Sequence, residues 1–260
     1  MIFRKNNFLR FFIGLYILLL SLITESKELN YEFHWLYVPV AKLSINFNNS
    51  FSINNKINNS HINFNLATQG PLKLYRNYKA EGYIKRRDIN SWDYYLNGYD
   101  RGHPEEKLIT YFINKMTKIR KFIDDTDAIP IKINYLDKGA IDPFSILIKM
   151  MEQLTNEKKC NHNYHIMDGK RRYKVKIKFV GEEYLNKRKK NNYRGETLRC
   201  QLILSSSFEV LSEKKLNNIW PFNGKNKIVD IWFAKNEEFK PVKFEFIAPI
   251  GRLVGRVNNL

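Results

Sequence analysis

The residues best suited to chemistry lie in one stretch, Cys160 to Cys200, which holds both of the chain's cysteines. Two thiols can form a bridge, or Cys160 can join His162 and His165 in a metal set. The Cys-x-His-x-x-His spacing fits a strand start poorly and no second ligand pair surrounds Cys200, so a Cys160–Cys200 disulfide is the expectation, without a metal. The bridge would close a loop of about 40 residues and stabilise the fold by about 4 kcal/mol. In the same stretch, Asp168 with Arg171, Arg172, His162 or His165 could form a polar site near a helix. Charges flanking a hairpin turn explain those residues equally well. No G-x-S-x-G, H-E-x-x-H or phosphate-loop pattern occurs in the chain. No catalytic residue or cofactor is therefore assigned, and a hydrolase with a dispersed site remains as an alternative to a non-catalytic protein.

The elements that must position these residues are mostly strands. Tyr164 and Ile166, then Tyr173, Val175, Ile177 and Phe179, alternate with polar residues on either side of Asp168-Gly169, which predicts a hairpin with a tight primed turn. Leu198, Cys200, Leu202 and Leu204 continue the alternation after Tyr193-Arg194-Gly195. Upstream, the same period runs through Tyr31, Phe33 and Trp35, with a bend at Pro39, then through Leu43–Phe47, His61–Thr68, Tyr78–Ile84, Trp92–Leu96, Leu108–Ile113 and Ile119–Ile123. Turns are expected at Asn97-Gly98 and Gly102-His103-Pro104, and a long polar hairpin loop over Asn48–Asn59. Strands at Ile228–Phe233, Val242–Ile247 and Leu253–Val257 close the chain, with turns at Asn236-Glu237-Glu238 and Pro249-Ile250-Gly251.

One segment has a different period. Phe144, Leu147, Ile148, Met151 and Leu154 recur at helical spacing, with Asp142 placed to accept the first free amides and Pro143 at the first helical position. The fold expected is mainly β: a large curved antiparallel sheet, or half-barrel, wrapped around one main α-helix. Residues 27–260 are expected to form a single domain, with neither an internal repeat nor a linker.

The N-terminus predicts where this domain works. Arg4, Lys5 and Arg10 precede the apolar run Phe11–Ile23, and Thr24-Glu25-Ser26 reads as a small-x-small cleavage site, so residues 1–26 are read as a secretory signal. The run is shorter than the ~20 residues of a membrane span, and export suits a persistent disulfide. The net charge of +18 attracts polyanions. A secreted chain without a helix-turn-helix or RNA-binding signature is not expected to meet nucleic acid. An anionic membrane surface or envelope polymer is the better partner, and Lys187-Arg188-Lys189-Lys190 is read as a solvated loop.

Asp142-Pro143-Phe144-Ser145, Cys160, Asp168-Gly169-Lys170-Arg171-Arg172-Tyr173, Tyr193-Arg194-Gly195 and Cys200 resemble, in order and spacing, the exported proteobacterial family known as domain of unknown function 3108. Phe233-Ala234-Lys235, Pro241-Val242 and Gly251-Arg252 resemble the end of that family. The resemblance implies a periplasmic protein and marks Asp142, Pro143, Asp168, Gly169, Arg171, Arg172, Tyr193 and Gly195 as family positions. It implies no activity. By looser analogy the fold is similar to the half-barrels of lipoprotein-localisation factors, in which a curved sheet holds acyl chains. A lipid or amphiphile held against Phe144, Leu147, Ile148 and Met151 is the corresponding expectation. A binding module for an anionic envelope polymer or a partner protein is the alternative.

Overall fold

A computed structural model describes residues 27–47, 61–124, 133, 137–169, 171–186, 189, 191–205, 227–236, 238–248 and 251–258. The N-terminal segment read as a signal, the Asn48–Asn59 loop, Lys187, Arg188, Lys190, Glu237 and Pro249-Ile250 lie outside the described residues. The strands are β1 (Lys27–Trp35), β2 (Val38–Phe47), β3 (His61–Thr68), β4 (Tyr78–Asp88), β5 (Ser91–Asp100), β6 (His103–Phe112), β7 (Lys118–Asp124), β8 (His162–Met167), β9 (Arg172–Leu185), β10 (Gly195–Ser205), β11 (Lys227–Ala234), β12 (Pro241–Ala248) and β13 (Gly251–Asn258). Among the described residues two helices join them, α1 (Gly70–Tyr75) and α2 (Ser145–Glu157).

All thirteen strands form one antiparallel sheet in the order β7-β6-β5-β4-β3-β2-β1-β13-β12-β11-β10-β9-β8. Every sequential pair except β7 and β8, which form the two edges, is a neighbour, and the first and last strands meet where Trp35 of β1 pairs with Leu253 of β13. The ladder does not close into a barrel. Residues 137–142 lie between the free edges instead. Lys138 bridges to Met116 beyond β6, and Ile141 takes a parallel bridge to Ile166 of β8. Tyr111 of β6 donates its hydroxyl to Met167 O of β8 at 2.5 Å.

The concave face is the core. Tyr31, Ile45, Phe64, Ile109, Tyr111, Ile177 and Phe233 all point into it and are essentially buried. The alternation arises because one sheet face meets this core while the other meets water. Helix α2 fills the concavity: Met150 and Leu154 are fully buried, Ile146 and Met151 nearly so. Each such side chain contributes about 1.5–3 kcal/mol by leaving water.

Several expected boundaries move. The helix begins at Ser145, because residues 143 and 144 form a turn, yet Asp142 still acts as the cap by accepting Phe144 N at 2.9 Å and Ser145 N at 2.8 Å. Its most buried line is Ile146, Met150 and Leu154, while Phe144, Leu147 and Ile148 pack half-buried at the edge of the core. A curved sheet embraces more of a helix than a flat one, so apolar positions on two flanks find partners. Asn97-Gly98 is not a turn. It lies inside β5, where a side chain at Gly98 would meet Lys79 O and Ala80 of the neighbouring strand. The turn that follows is Arg101-Gly102, both at positive φ, and His103 and Pro104 already belong to β6. Pro39 sits within β2, and the turn before it is Leu36-Tyr37. The β8–β9 connection is four residues, 168–171, closed by Asp168 N donating to Arg171 O. It is longer than a two-residue primed turn because Asp168 also uses its side chain to hold Arg171.

Candidate docking surface

Three groups of the sequence-picked residues come together, and each has structural work. Cys160 and Cys200 form a disulfide, both fully buried. His162 packs against the Tyr164 ring, and both His162 and His165 are exposed on β8. Among the described residues no group of three potential ligands could hold a metal ion.

Asp168 accepts from Arg171 N, Nε and Nη2 at 2.8, 2.7 and 2.5 Å. Gly169 sits against Ile109 and Phe122, so this turn plugs the gap beside β6 and β7. Arg172 points elsewhere and forms a two-pronged pair with Asp137, at 2.6 and 2.7 Å. These pairs fasten the seam between the open edges. Next to them Glu105 and Lys107 face inward from β6, paired at 2.5 Å and almost completely buried. Burial raises the phenol pKa of Tyr78, and the negative charge of Glu105 raises it further. Tyr94, Tyr111 and Tyr173 are raised for the same first reason, with Asp142 and Asp168 adding to it. The phenols therefore stay neutral hydrogen-bonding groups at neutral pH.

Asp142 is fully buried and accepts Trp92 Nε1 at 2.9 Å as well as the α2 amides. Burial raises its pKa, and hydrogen bonds from Ser145 and Trp92 oppose the rise. Phe144 stacks on Phe64 of β3 with ring centroids 3.9 Å apart. At the third motif, Tyr193 donates its hydroxyl to Glu196 O and folds over Gly195, where a Cβ would lie 2.6 Å from the Tyr193 hydroxyl oxygen. Gly195 is therefore a packing requirement.

Surface chemistry is concentrated at one end of the half-barrel. The β1–β2 turn exposes Leu36 by 67% and Tyr37 by 83%, and α1 exposes Leu74 by 93% and Tyr75 by 76%. The two segments adjoin: Gln69 N donates to Val40 O, and Gly70 lies against Pro39 O. Leu72 anchors α1 to the core, which leaves Leu74 and Tyr75 pointing away from it. The same end carries exposed Tyr99 and Ile247 beside the neighbouring turns. Lys73, Arg76, Arg101 and Arg252 belong to the same or adjoining segments; Asp100 is held by Arg76 at 2.6 Å and lies 3.7 Å from Arg101, and Arg252 pairs with Glu245. This apolar rim with a basic surround has the composition of an interfacial surface. The sequence reading passes over α1. Six residues are too few for a helical period, although Gly70-Pro71 followed by Leu-Lys-Leu-Tyr marks a break and an apolar-basic cluster.

The sequence profile of the family described as "Protein of unknown function (DUF3108)" matches residues 30–257. The chain belongs to the DUF3108 family. No functionally curated protein matches it. Among solved structures, this DUF3108 chain is similar to a beta-barrel-like protein of domain of unknown function DUF1849 from Brucella abortus, with TM-score 0.57 and 8% identity over 89% of this chain and 95% of that one. That likeness concerns the fold. A protein described as a lipoprotein from Parabacteroides distasonis aligns with TM-score 0.36 and 8% identity over 91% of this chain and 95% of that one. At that level it adds nothing to the fold assignment. Among the described residues of the DUF3108 chain, no helix is long and apolar enough to cross a membrane.

Proposed function

We propose that this DUF3108 protein is an exported, non-catalytic protein of the periplasm that docks on an anionic lipid surface through the apolar, basic end of its half-barrel. The observation that carries this is the solvent exposure of Leu36, Tyr37, Leu74 and Tyr75 together at one end, with exposed Lys73, Arg101 and Arg252 in the same or adjoining segments. Large apolar side chains that the fold leaves in solvent gain from an interface where their ends meet acyl chains and their neighbours meet phosphates. Each basic residue near such a surface adds about 1 kcal/mol. The secretory pattern of residues 1–26 and the buried disulfide support export.

An acyl chain held inside the concave face is less well supported, because α2 occupies it with Ile146, Met150 and Leu154 and with Phe144 stacked on Phe64. Such a ligand would have to displace the helix. Sedimentation with vesicles tests the docking reading. The oxidised protein should pellet with vesicles containing phosphatidylglycerol and remain in solution with phosphatidylcholine alone. Leu74→Glu with Tyr75→Glu should abolish pelleting without lowering the melting temperature, since both side chains are exposed. Equal pelleting of this variant and the native protein would contradict docking by the rim.

A further inference from the structure

Side-chain contacts at Asn186, Lys189 and Asn192 hold the β9–β10 connection against the outer wall of β1 and β13. Arg256 Nη1 of β13 donates to Asn186 O. Asn192 bridges to Asn258 and donates Nδ2 to Val257 O and Asn258 Oδ1. Between these anchors Lys189 reaches β1, where its ammonium lies 3.0 Å from Glu32 Oε2 and 3.2 Å from His34 Nε2. Those two atoms are themselves 3.1 Å apart, so the three groups form a nearly equilateral triangle. The outer anchors use amides and a guanidinium, and only the middle contact contains an imidazole.

The protons in this triangle follow from the other side of the His34 ring. Nδ1 lies 3.3 Å from Glu32 O, and a carbonyl oxygen only accepts, so Nδ1 carries the proton of the neutral ring. Nε2 then has a lone pair. The Lys189 ammonium has three protons and can supply both Nε2 and the Glu32 carboxylate. A second proton on the ring reverses the arrangement. Nε2–H now donates to Glu32 Oε2, and two cationic donors face each other across the 3.2 Å between Nε2 and Lys189 Nζ. One of them must withdraw. The His34 side chain is 16% exposed and fastened at Nδ1, whereas that of Lys189 is 58% exposed on a flexible stem, so Lys189 is the one that moves.

The surrounding charges leave this competition intact. Glu32 is held as an anion, because the hydrogen bond from Lys189 keeps its carboxyl below the ordinary value and a charged His34 acts in the same direction. Lys42 of β2 and Arg256 of β13 flank Glu32 across the ladders, and lysine and arginine keep their charge between about pH 5 and about pH 8. Val254 and Pro39 flank His34, so neither neighbouring strand sets an ionisable group directly opposite the ring. Tyr37 contributes a phenol to the lining of the cavity of about 60 Å³ beneath the connection, and a phenol is neutral in this range. Imidazole is the group here that changes charge.

We infer that His34, Glu32 and Lys189 form an acid-sensitive latch: protonation of His34 gives Glu32 a new partner, expels Lys189 and loosens the β9–β10 connection from β1 between its anchors at Asn186 and Asn192. The inference is independent of the docking reading. NMR of isotope-labelled oxidised protein, taken from about pH 8 to about pH 5, tests it. Above the transition the His34 ring should be the Nδ1–H tautomer. The Lys189 Cε signal should move with the same midpoint as the ring. The Lys189 backbone amide, which donates to Asn192 Oδ1, should lose protection severalfold in acid after correction for its intrinsic exchange rate. His34→Gln keeps an acceptor for Lys189 but cannot gain a proton, so both responses at Lys189 should vanish. Lys189→Gln removes the opposing ammonium at an exposed position, so the His34 midpoint should move to higher pH. A neutral ring protonated at Nε2, a Lys189 that does not respond or responds equally in His34→Gln, or an unmoved His34 midpoint in Lys189→Gln would overturn the latch.

Discussion

Trp92 Nε1 of β5 donates a 2.9 Å hydrogen bond to Asp142 Oδ2, the same carboxylate that caps α2. One buried acid thus fastens the interior helix to the wall of the half-barrel. Asp142→Ala removes the cap and orphans the indole, and should lower stability by roughly 2–3 kcal/mol. Trp92→Phe, which loses one of these donors, should cost less. Urea unfolding of both variants checks the ranking, and a smaller loss for Asp142→Ala than for Trp92→Phe would show that the cap is not the main role.

The Cys160–Cys200 bridge closes a sequence separation of 40 residues. Reduction or Cys200→Ser should lower unfolding free energy by about 4 kcal/mol, as expected from loss of a loop constraint. The check is a thermal melt with and without reductant. Identical melts, with both thiols titratable before reduction, would contradict a native bridge.

Glu105 and Lys107 are a buried ion pair that faces the core from β6. Lys107→Met leaves Glu105 charged in a poor solvent and should cost about 3–5 kcal/mol, whereas Glu105→Leu with Lys107→Met should recover much of that loss. A double-mutant cycle by chemical denaturation measures the coupling. Additive losses would mean that Glu105 is held mainly by its other neighbours, which include the field of Arg171.

A hydrogen bond from the Lys189 ammonium holds the Glu32 carboxyl below its ordinary 4.5, with partial burial opposing. Glu32 is therefore favoured as an anion in the folded chain. Its stabilising contribution is complete above the unfolded value and is lost as pH falls through the depressed one. In Lys189→Ala the Glu32 carboxyl should titrate at higher pH. Carbon-detected NMR titration of the side chain measures this, and an unmoved midpoint would place the shift elsewhere.

Much of this was legible in the amino-acid order for a physical reason. Tyr173, Val175 and Ile177 alternate because β9 has one face on the core, and Asp142-Pro143 announces a helix start because free amides need an acceptor. The β5 boundary was not legible. Asn97-Gly98 has turn chemistry, and only the closeness of Ala80 across the ladder explains a glycine there. The exposed rim was hidden for another reason. Leu74 and Tyr75 look like any apolar residues in a strand-rich chain, and their importance lies in what they fail to touch. The inward Glu105 and Lys107 were equally unreadable, since a two-residue period of charges normally marks a solvated face.

Docking by the rim is most directly measured with an environment-sensitive fluorophore placed on the folded, oxidised protein at Leu74→Cys and, in a second sample, at Glu238→Cys in the β11–β12 turn of the opposite end. With vesicles containing phosphatidylglycerol, the probe at position 74 should shift to the blue and become shielded from an aqueous quencher, while the probe at 238 should change little. High salt should weaken the effect by screening the basic surround. An unshifted probe at position 74, or equal shifts at both positions, would contradict it.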